Sequence, residues 1–482
     1  MLGPHRLPCE TLAPQNPGES GPGETRWVLP VTILGSSLSF IDGSVVNVAL
    51  PAMQRGLETG LASIQWVVNG YLLSLASLIL LGGSLGDRLG RRKMFLVGLV
   101  GFAVASLACG LAPSTHWLVA ARVIQGAAAA LLMPASLAMI SVAYTGEARG
   151  RAIGTWAAAG AVTTALGPVI GGWLVDSIGW RSIFFINLPI AAAALLLALK
   201  LPQDRGTQDV DPLDVRGTLL AIVALALLSY GLVSVGDGEH VRGTIALAAA
   251  MPAIWLFIRT EAKSRAPMMP LSLFRDDTFA GANGLTVLLY AALSGGLFVL
   301  PYLLIDVHHY SATAAGAAFL PLSVLMGIGS RWSGGLVERT GARLPLILGP
   351  AITAVGYVLL GLSGNLPSYW SGVLPGLIIV GVGMTLSVAP LTTAVFDSAP
   401  GQMSGTASGI NNAAARVGGL LAVAALGLAF GGPTAASMQA AALGRAYSLV
   451  MFCAAALAGL SALTAAMTIR PGAPRAILQR EA

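Results

Sequence analysis

Fourteen apolar stretches, almost free of charge, follow one another along this chain, and that succession excludes most folds. They run over 28–51, 62–84, 94–112, 117–139, 152–175, 181–199, 217–235, 243–258, 280–304, 313–330, 345–363, 370–393, 406–430 and 446–469. A helix needs about 20 apolar residues to cross a hydrocarbon core ~30 Å thick. Lipid offers unpaired backbone no hydrogen-bond partner, so segments of this length are read as helices. Only 10% of the 482 residues are charged, against about 25% in an ordinary soluble domain. The expected class is an all-α polytopic membrane protein whose solvent is the lipid bilayer.

The basic residues set the expected orientation. Of 27 Lys and Arg, 21 fall in segments on one side of the fourteen spans, four on the other, and two inside spans. By the positive-inside rule the richer side is cytoplasmic, with both termini there. The plasma membrane, in a bacterium the inner membrane, is the expected location. Residues 1–26, rich in Pro, Gly and Glu and without an apolar core, read as a disordered cytoplasmic tail rather than a signal peptide. Residues 471–482 form a second tail.

Several functions drop out on the same evidence. Cys9, Cys109 and Cys453 lie far apart with no CxxC spacing, which leaves no zinc motif and no disulfide framework. Lys93, Lys200 and Lys263 are the only lysines, and none has the glycine-rich context of a phosphate-binding loop. The chain is therefore expected to use no ATP, to bind no nucleic acid and to need no cofactor. Asp306, His308 and His309 fall in an outer loop, so no metal site is expected. No catalytic constellation is read; the chain is expected not to be an enzyme.

A repeat divides the chain. Leu85-Gly86-Asp87-Arg88-Leu89-Gly90-Arg91-Arg92 follows the second span, and Leu336-Val337-Glu338-Arg339-Thr340-Gly341-Ala342-Arg343 follows the tenth, at an offset of 251. A parallel repeat of two six-helix halves is a transporter signature, with the substrate path between the halves. The halves are placed at 27–200 and 280–470, with cytoplasmic linkers and inserted helices seven and eight over 201–279.

Three charges inside spans are the candidate functional residues. Burying an Arg at a helix centre costs ~2.5–3.5 kcal/mol even on the lenient insertion scale. Arg122 shares one helix face with Gln125, Gly126 and Ala130. Asp42 lies on the face of Gly35, Ser39, Val46 and Ala49 in the first span. Counting rise per residue from the span ends puts Asp42 and Arg122 each about 8 Å below the outer edge. Equal depth allows a pair or a shared relay. Arg416 in the thirteenth span, near Asn411 and Asn412, is a second costly charge, read either as a substrate or gating residue or as bonded to a neighbouring carbonyl.

The motifs around these residues carry a resemblance. Gly83-Ser84-Leu85-Gly86-Asp87-Arg88-Leu89-Gly90-Arg91-Arg92 resembles the signature between helices two and three of the major facilitator superfamily. The run Ile41–Pro51 is similar to the first-helix motif of its fourteen-helix drug:proton antiporters, and Arg122-Val123-Ile124-Gln125-Gly126 to the helix-four motif. Gly167-Pro168-Val169-Ile170-Gly171-Gly172 resembles the helix-five motif of exporters, although Val162 and Thr163 stand where Gly is usual. The resemblance covers about 27–470.

It implies a major facilitator fold of fourteen helices and proton-coupled multidrug or antibiotic efflux. The partners implied are protons and a small amphipathic substrate. Asp42, Arg122, Gln125 and Arg416 are expected in coupling or substrate binding. Gly83, Asp87, Arg88, Gly90 and Arg91 are expected at the inner gate, where Gly86 and Gly90 permit a tight turn. Gly167, Pro168, Gly171 and Gly172 are expected in helix packing. An exporter dedicated to one endogenous metabolite is the nearest alternative; a facilitative uniporter or nutrient importer is further off.

Overall fold

The protein is described by a computed structural model, which covers residues 22–201, 212–364, 366, 368–400, 403–430 and 440–470. Helices joined by turns and short irregular segments make up the described residues, and no strand occurs among them. The N-terminal half comprises α1 (Pro22–Gly56), α2 (Leu61–Leu89), α3 (Arg91–Gly110), α4 (Thr115–Ala143), α5 (Gly146–Ser177), α6 (Ser182–Phe185) and α7 (Asn187–Ala198). An inserted pair follows, α8 (Val215–Gly236) and α9 (His240–Lys263). The C-terminal half comprises α10 (Asp277–Tyr302), α11 (Ala312–Ala317), α12 (Leu320–Thr340), α13 (Arg343–Leu362), α14 (Val373–Asp397), α15 (Ser404–Phe430) and α16 (Ala440–Thr468).

Thirteen helical segments among the described residues are long and apolar enough to cross a membrane. The sixth expected span is the exception, broken into α6 and α7. Pro189 has no N–H for the Phe185 carbonyl one turn earlier, so the helix parts between them. The tenth span parts for the same reason, because Pro321 cannot bond the Ala317 carbonyl and α11 ends there. The eighth span, sixteen residues in the sequence reading, is a full helix of 24 residues.

Two boundaries differ from expectation. The first helix begins at Pro22, inside the segment assigned to the tail; residues 1–21 and 471–482 lie outside the described residues. More telling, the motif after the second span is not a loop. α2 runs on to Leu89, so Gly83 and Gly86 are helical and Gly90 makes the turn by itself, at φ 97°. Gly341, its counterpart at the offset of 251, also has positive φ, 72°, between α12 and α13. Only Gly takes that conformation without strain.

Within the N-terminal half α1 packs on α5, and α2 and α3 pack on α4. In the C-terminal half α10 packs on α15 and α16, and α13 on α14 and α16. The α8–α9 hairpin leans on both halves, with α8 touching α2 and α15. Large apolar side chains such as Val104, Trp173, Trp255 and Leu463 remain on the outside, as a lipid-facing surface requires.

Candidate functional site

Asp42, Arg122 and Gln125 close a ring of hydrogen bonds in the interior of the N-terminal half. Arg122 Nη1 donates to Asp42 Oδ2 at 2.5 Å and to Gln125 Oε1 at 2.8 Å. Gln125 Nε2 completes the ring by donating to Asp42 Oδ1 at 3.0 Å. Asp42 and Gln125 are 0% exposed and Arg122 2%. Dehydrating two charges costs several kcal/mol per ion, so such a pair survives only when the remaining donors and acceptors are met. They are largely met here. Arg122 Nε donates to the Val67 carbonyl of α2 at 3.0 Å, and its guanidinium lies 4.3 Å from the Tyr71 ring centroid. Tyr71 shares a 2.7 Å hydrogen bond with Ser39, one turn before Asp42 on α1.

A polar string leads away from the ring toward α3 and α7. The Gln125 amide also reaches Ser106 Oγ at 3.4 Å, and Asn187 Nδ2 donates to the same oxygen at 2.9 Å. The Ser106 hydroxyl in turn donates to the Phe184 carbonyl at 2.9 Å. The expected equality of depth is realised as direct contact. The face of Gly126 and Ala130 does what small residues allow: a Cβ on Gly126 would strike the Tyr71 carbonyl, and a Cβ on Gly82 the Ala130 carbonyl, so α2 and α4 touch backbone to backbone.

Arg416 stands apart from the ring. It is half-buried in α15, and among the described residues neither a hydrogen bond nor an ion pair to it is formed. Its charge acts on the hydroxyls of Tyr71, in the other half, and of Tyr290 in α10. One helical turn toward the inner side, Asn411 donates to Thr286 Oγ1 at 2.7 Å and to Asn283 Oδ1 at 3.3 Å.

The gate motif makes its ion pair locally. Arg91 donates to Asp87 Oδ1 through Nε at 3.1 Å and Nη2 at 2.9 Å, bridging the Gly90 turn. Arg88 ends α2, and Arg92 reaches the Leu199 carbonyl at 3.5 Å. The side chain of Glu338, the acid of the second copy, lies outside the described residues.

The helix-five glycines meet two partners. Gly167 and Gly171 press on Ser44 and Val45 of α1, as packing residues should. Gly172 and Pro168, however, face the other half: a Cβ on Gly172 would drive into the Ala312 carbonyl, and a Cβ on Gly316 into that of Pro168. Just beyond them Asp176 accepts from Ala312 N at 3.0 Å, Thr313 N at 2.8 Å and Thr313 Oγ1 at 2.6 Å. Arg55 and Asp306 add an exposed ion pair at 2.9 Å between α1 and the π-turn Leu303–Val307 after α10. α1 and α5 are thus tied to α11 and the π-turn at one end of the molecule. Nothing local in the sequence marks Asp176, Tyr71 or Ser106 as members of these contacts.

The Major Facilitator Superfamily profile matches residues 32–423, most of the chain. The chain belongs to this superfamily. It is 37% identical over 405 residues to the multidrug resistance protein Stp of Mycobacterium tuberculosis, covering 83% of this chain and 74% of that one. It is 36% identical over 406 residues to the tetracenomycin C resistance and export protein of Streptomyces glaucescens, covering 82% and 74%. Among solved structures, the inward-open xylose transporter XylE from E. coli aligns over 93% of this chain and 97% of its own, with TM-score 0.65 at 14% identity. A POT family transporter bound to a thioalcohol-conjugated peptide aligns over 92% and 96% with TM-score 0.69 at 13% identity. The superfamily fold of this multi-pass membrane protein is thereby established, and so is its place among transporters of small molecules.

Proposed function

We propose that the chain is a proton-driven exporter of amphipathic drugs or antibiotics in the plasma membrane, with both termini cytoplasmic and no enzymatic activity. The halves are 27–200 and 280–470, joined by the inserted pair. The observation that carries this reading is the buried ring of Asp42, Arg122 and Gln125. A superfamily member that lacks a nucleotide site must draw on a gradient, and this ring holds a titratable carboxylate in the interior. The names of the relatives supply the direction and the cargo: multidrug, tetracenomycin C and puromycin resistance.

In the ionised ring, Asp42 accepts from Arg122 and from Gln125 at separate oxygens. A proton placed on Oδ2 turns that oxygen into a donor facing a donor, so the Arg122 contact must break. Arg122 keeps the Val67 carbonyl and Gln125 Oε1, while the hold of α1 on α4 at this site is reduced to the Gln125–Asp42 Oδ1 contact. Substrate arriving between the halves and the proton leaving Asp42 are then alternative ways of satisfying one site. Arg416 offers a charge to the substrate from the C-terminal half. Asp87, Arg88 and Arg91 serve the inner gate, and Gly172 and Pro168 the outer one.

The test is efflux into everted membrane vesicles from a panel of cationic, neutral and anionic drugs. An uncoupler should abolish accumulation while ATP stays high. Accumulation that survives the uncoupler and follows ATP contradicts the reading. A second reading, export of one metabolite made by the host, is favoured by the export function named for the tetracenomycin C relative; it predicts transport of one compound class and none of the others.

A further inference from the structure

A pair of carboxyls sits at the inner end of the inserted hairpin. Asp214 caps α8, its Oδ1 accepting from Gly217 N at 2.8 Å. Glu261 lies on the polar end of α9, three residues past Ile258, and is 2% exposed. Its Oε2 accepts from Met269 N at 2.9 Å, which holds the linker between α9 and α10 against the hairpin. Each carboxyl therefore has one oxygen engaged by a backbone amide. The other two, Asp214 Oδ2 and Glu261 Oε1, are buried and have no donor among the described residues.

These two oxygens converge. A Cβ added to Gly217 would lie 2.8 Å from Asp214 Oδ2 and would collide with Glu261 Oε1. Unpaired buried acceptors are rare because each forfeits its hydration. Two ionised carboxylates at such range also repel one another. A single proton, donated by one oxygen and accepted by the other, removes both penalties. A metal ion is a poorer occupant, since a hard cation seeks six or more oxygens and only two are free.

Among the described residues no cation forms an ion pair with either carboxyl. Asp214 is the one ionisable group that acts on Glu261. Arg259 and Lys263 on α9, Arg216 on α8 and Arg265 on the linker are exposed or half-exposed at the rim. On α2, which packs against α8, Asp87 is held by Arg91, and Arg88 ends the helix. α15 carries no ionisable residue between Ser404 and Ala415. A surface cavity lined by Pro212, Asp214, Arg216, Ser264 and Arg265 gives Asp214 an opening to solvent.

We propose that Asp214 and Glu261 hold one proton between them, and that this proton latches the linker 264–272, making it a sensor of cytoplasmic pH. The side of the membrane that it senses rests on the orientation proposed above; the shared proton does not. The latched state binds one proton more than the released state, in which both carboxylates are hydrated and ionised near neutral pH. Latching is therefore complete at low pH and is lost as pH rises. Because the linker leads directly into α10, alkalinisation would loosen the tie between the hairpin and the C-terminal half.

The test is limited trypsin digestion of the full chain in lipid nanodiscs, reading cleavage after Lys263 and Arg265. In Glu261→Gln the amide can accept from Met269 and donate to Asp214 Oδ2 without any shared proton. Between about pH 6 and about pH 9 the wild-type cleavage rate, divided by that of Glu261→Gln, should rise roughly tenfold. Asp214→Asn, which also supplies its own N–H, should keep a constant ratio to Glu261→Gln. A wild-type ratio that stays constant overturns the proposal, as does a Glu261→Gln variant cleaved as fast at low pH as the wild type is at high pH. No transport is measured, so failure here is distinct from failure of proton-driven efflux.

Discussion

In the N-terminal half an acid and a base meet with exposures of 0% and 2%, Asp42 against Arg122, whereas in the C-terminal half Arg416 stands half-buried without an acid among the described residues. The two segments nonetheless share a turn, with positive φ at Gly90 and at Gly341, 251 positions on. The repeat has copied backbone geometry and left the chemistry uneven. One half holds a charge pair that a proton can open. The other presents a lone cation in the region where the halves meet, with the Asn411, Asn283 and Thr286 cluster below it. Under the function proposed above this is a division of labour, with coupling assigned to the first half and recognition to the second.

The sharpest way to break that contrast is Arg122→Ala. It strands Asp42 in a dry site, and removing one partner of a buried pair costs about 3–5 kcal/mol. The variant should lose gradient-driven efflux altogether and melt earlier in a thermal-shift assay. Normal efflux with unchanged melting would make the ring ornamental. Arg416→Ala should behave differently, because no partner is stranded. Its melting should stay near wild type, while efflux of anionic compounds falls about tenfold and that of neutral compounds holds, the loss expected from one charge-assisted hydrogen bond. Equal loss for all compounds would make Arg416 a gating residue instead.

A smaller effect is expected at the outer tie. Asp176 is exposed, and its carboxylate accepts hydrogen bonds from Ala312 N, Thr313 N and Thr313 Oγ1. Asp176→Asn should weaken that tie by about 1 kcal/mol and raise hydrogen exchange of the Ala312 and Thr313 amides roughly fivefold. Exchange unaltered in the variant would remove Asp176 from the outer gate.

Much of this was legible in the sequence, for identifiable reasons. Lipid makes apolar length a direct record of helices, so thirteen of fourteen spans could be read, and the sixth failed only where Pro189 removes a donor. Asp42 and Arg122 announced themselves because charge within a span is costly, and their equal depth followed from rise per residue. What stayed hidden was context supplied by distant elements. The Val67 carbonyl and the Tyr71 ring look like any carbonyl and any apolar position. Gly86 read as a turn because Gly is permissive, yet α2 simply continues through it. Gly172 read as packing, but its partner Ala312 is 140 positions away in the other half. Asp214 and Glu261 meet only because α8 and α9 fold back on each other.

The central claim is that Asp42 exchanges its proton for substrate. It is tested most directly with purified protein in weakly buffered detergent solution, recording the pH as an exported drug is added. Wild type should release protons on binding, in an amount approaching one per bound drug, and Asp42→Asn should release none while still folding, since Asn can keep the Gln125 contact. If Asp42→Asn releases as many protons as the wild type, the coupling carboxyl lies elsewhere and the account fails.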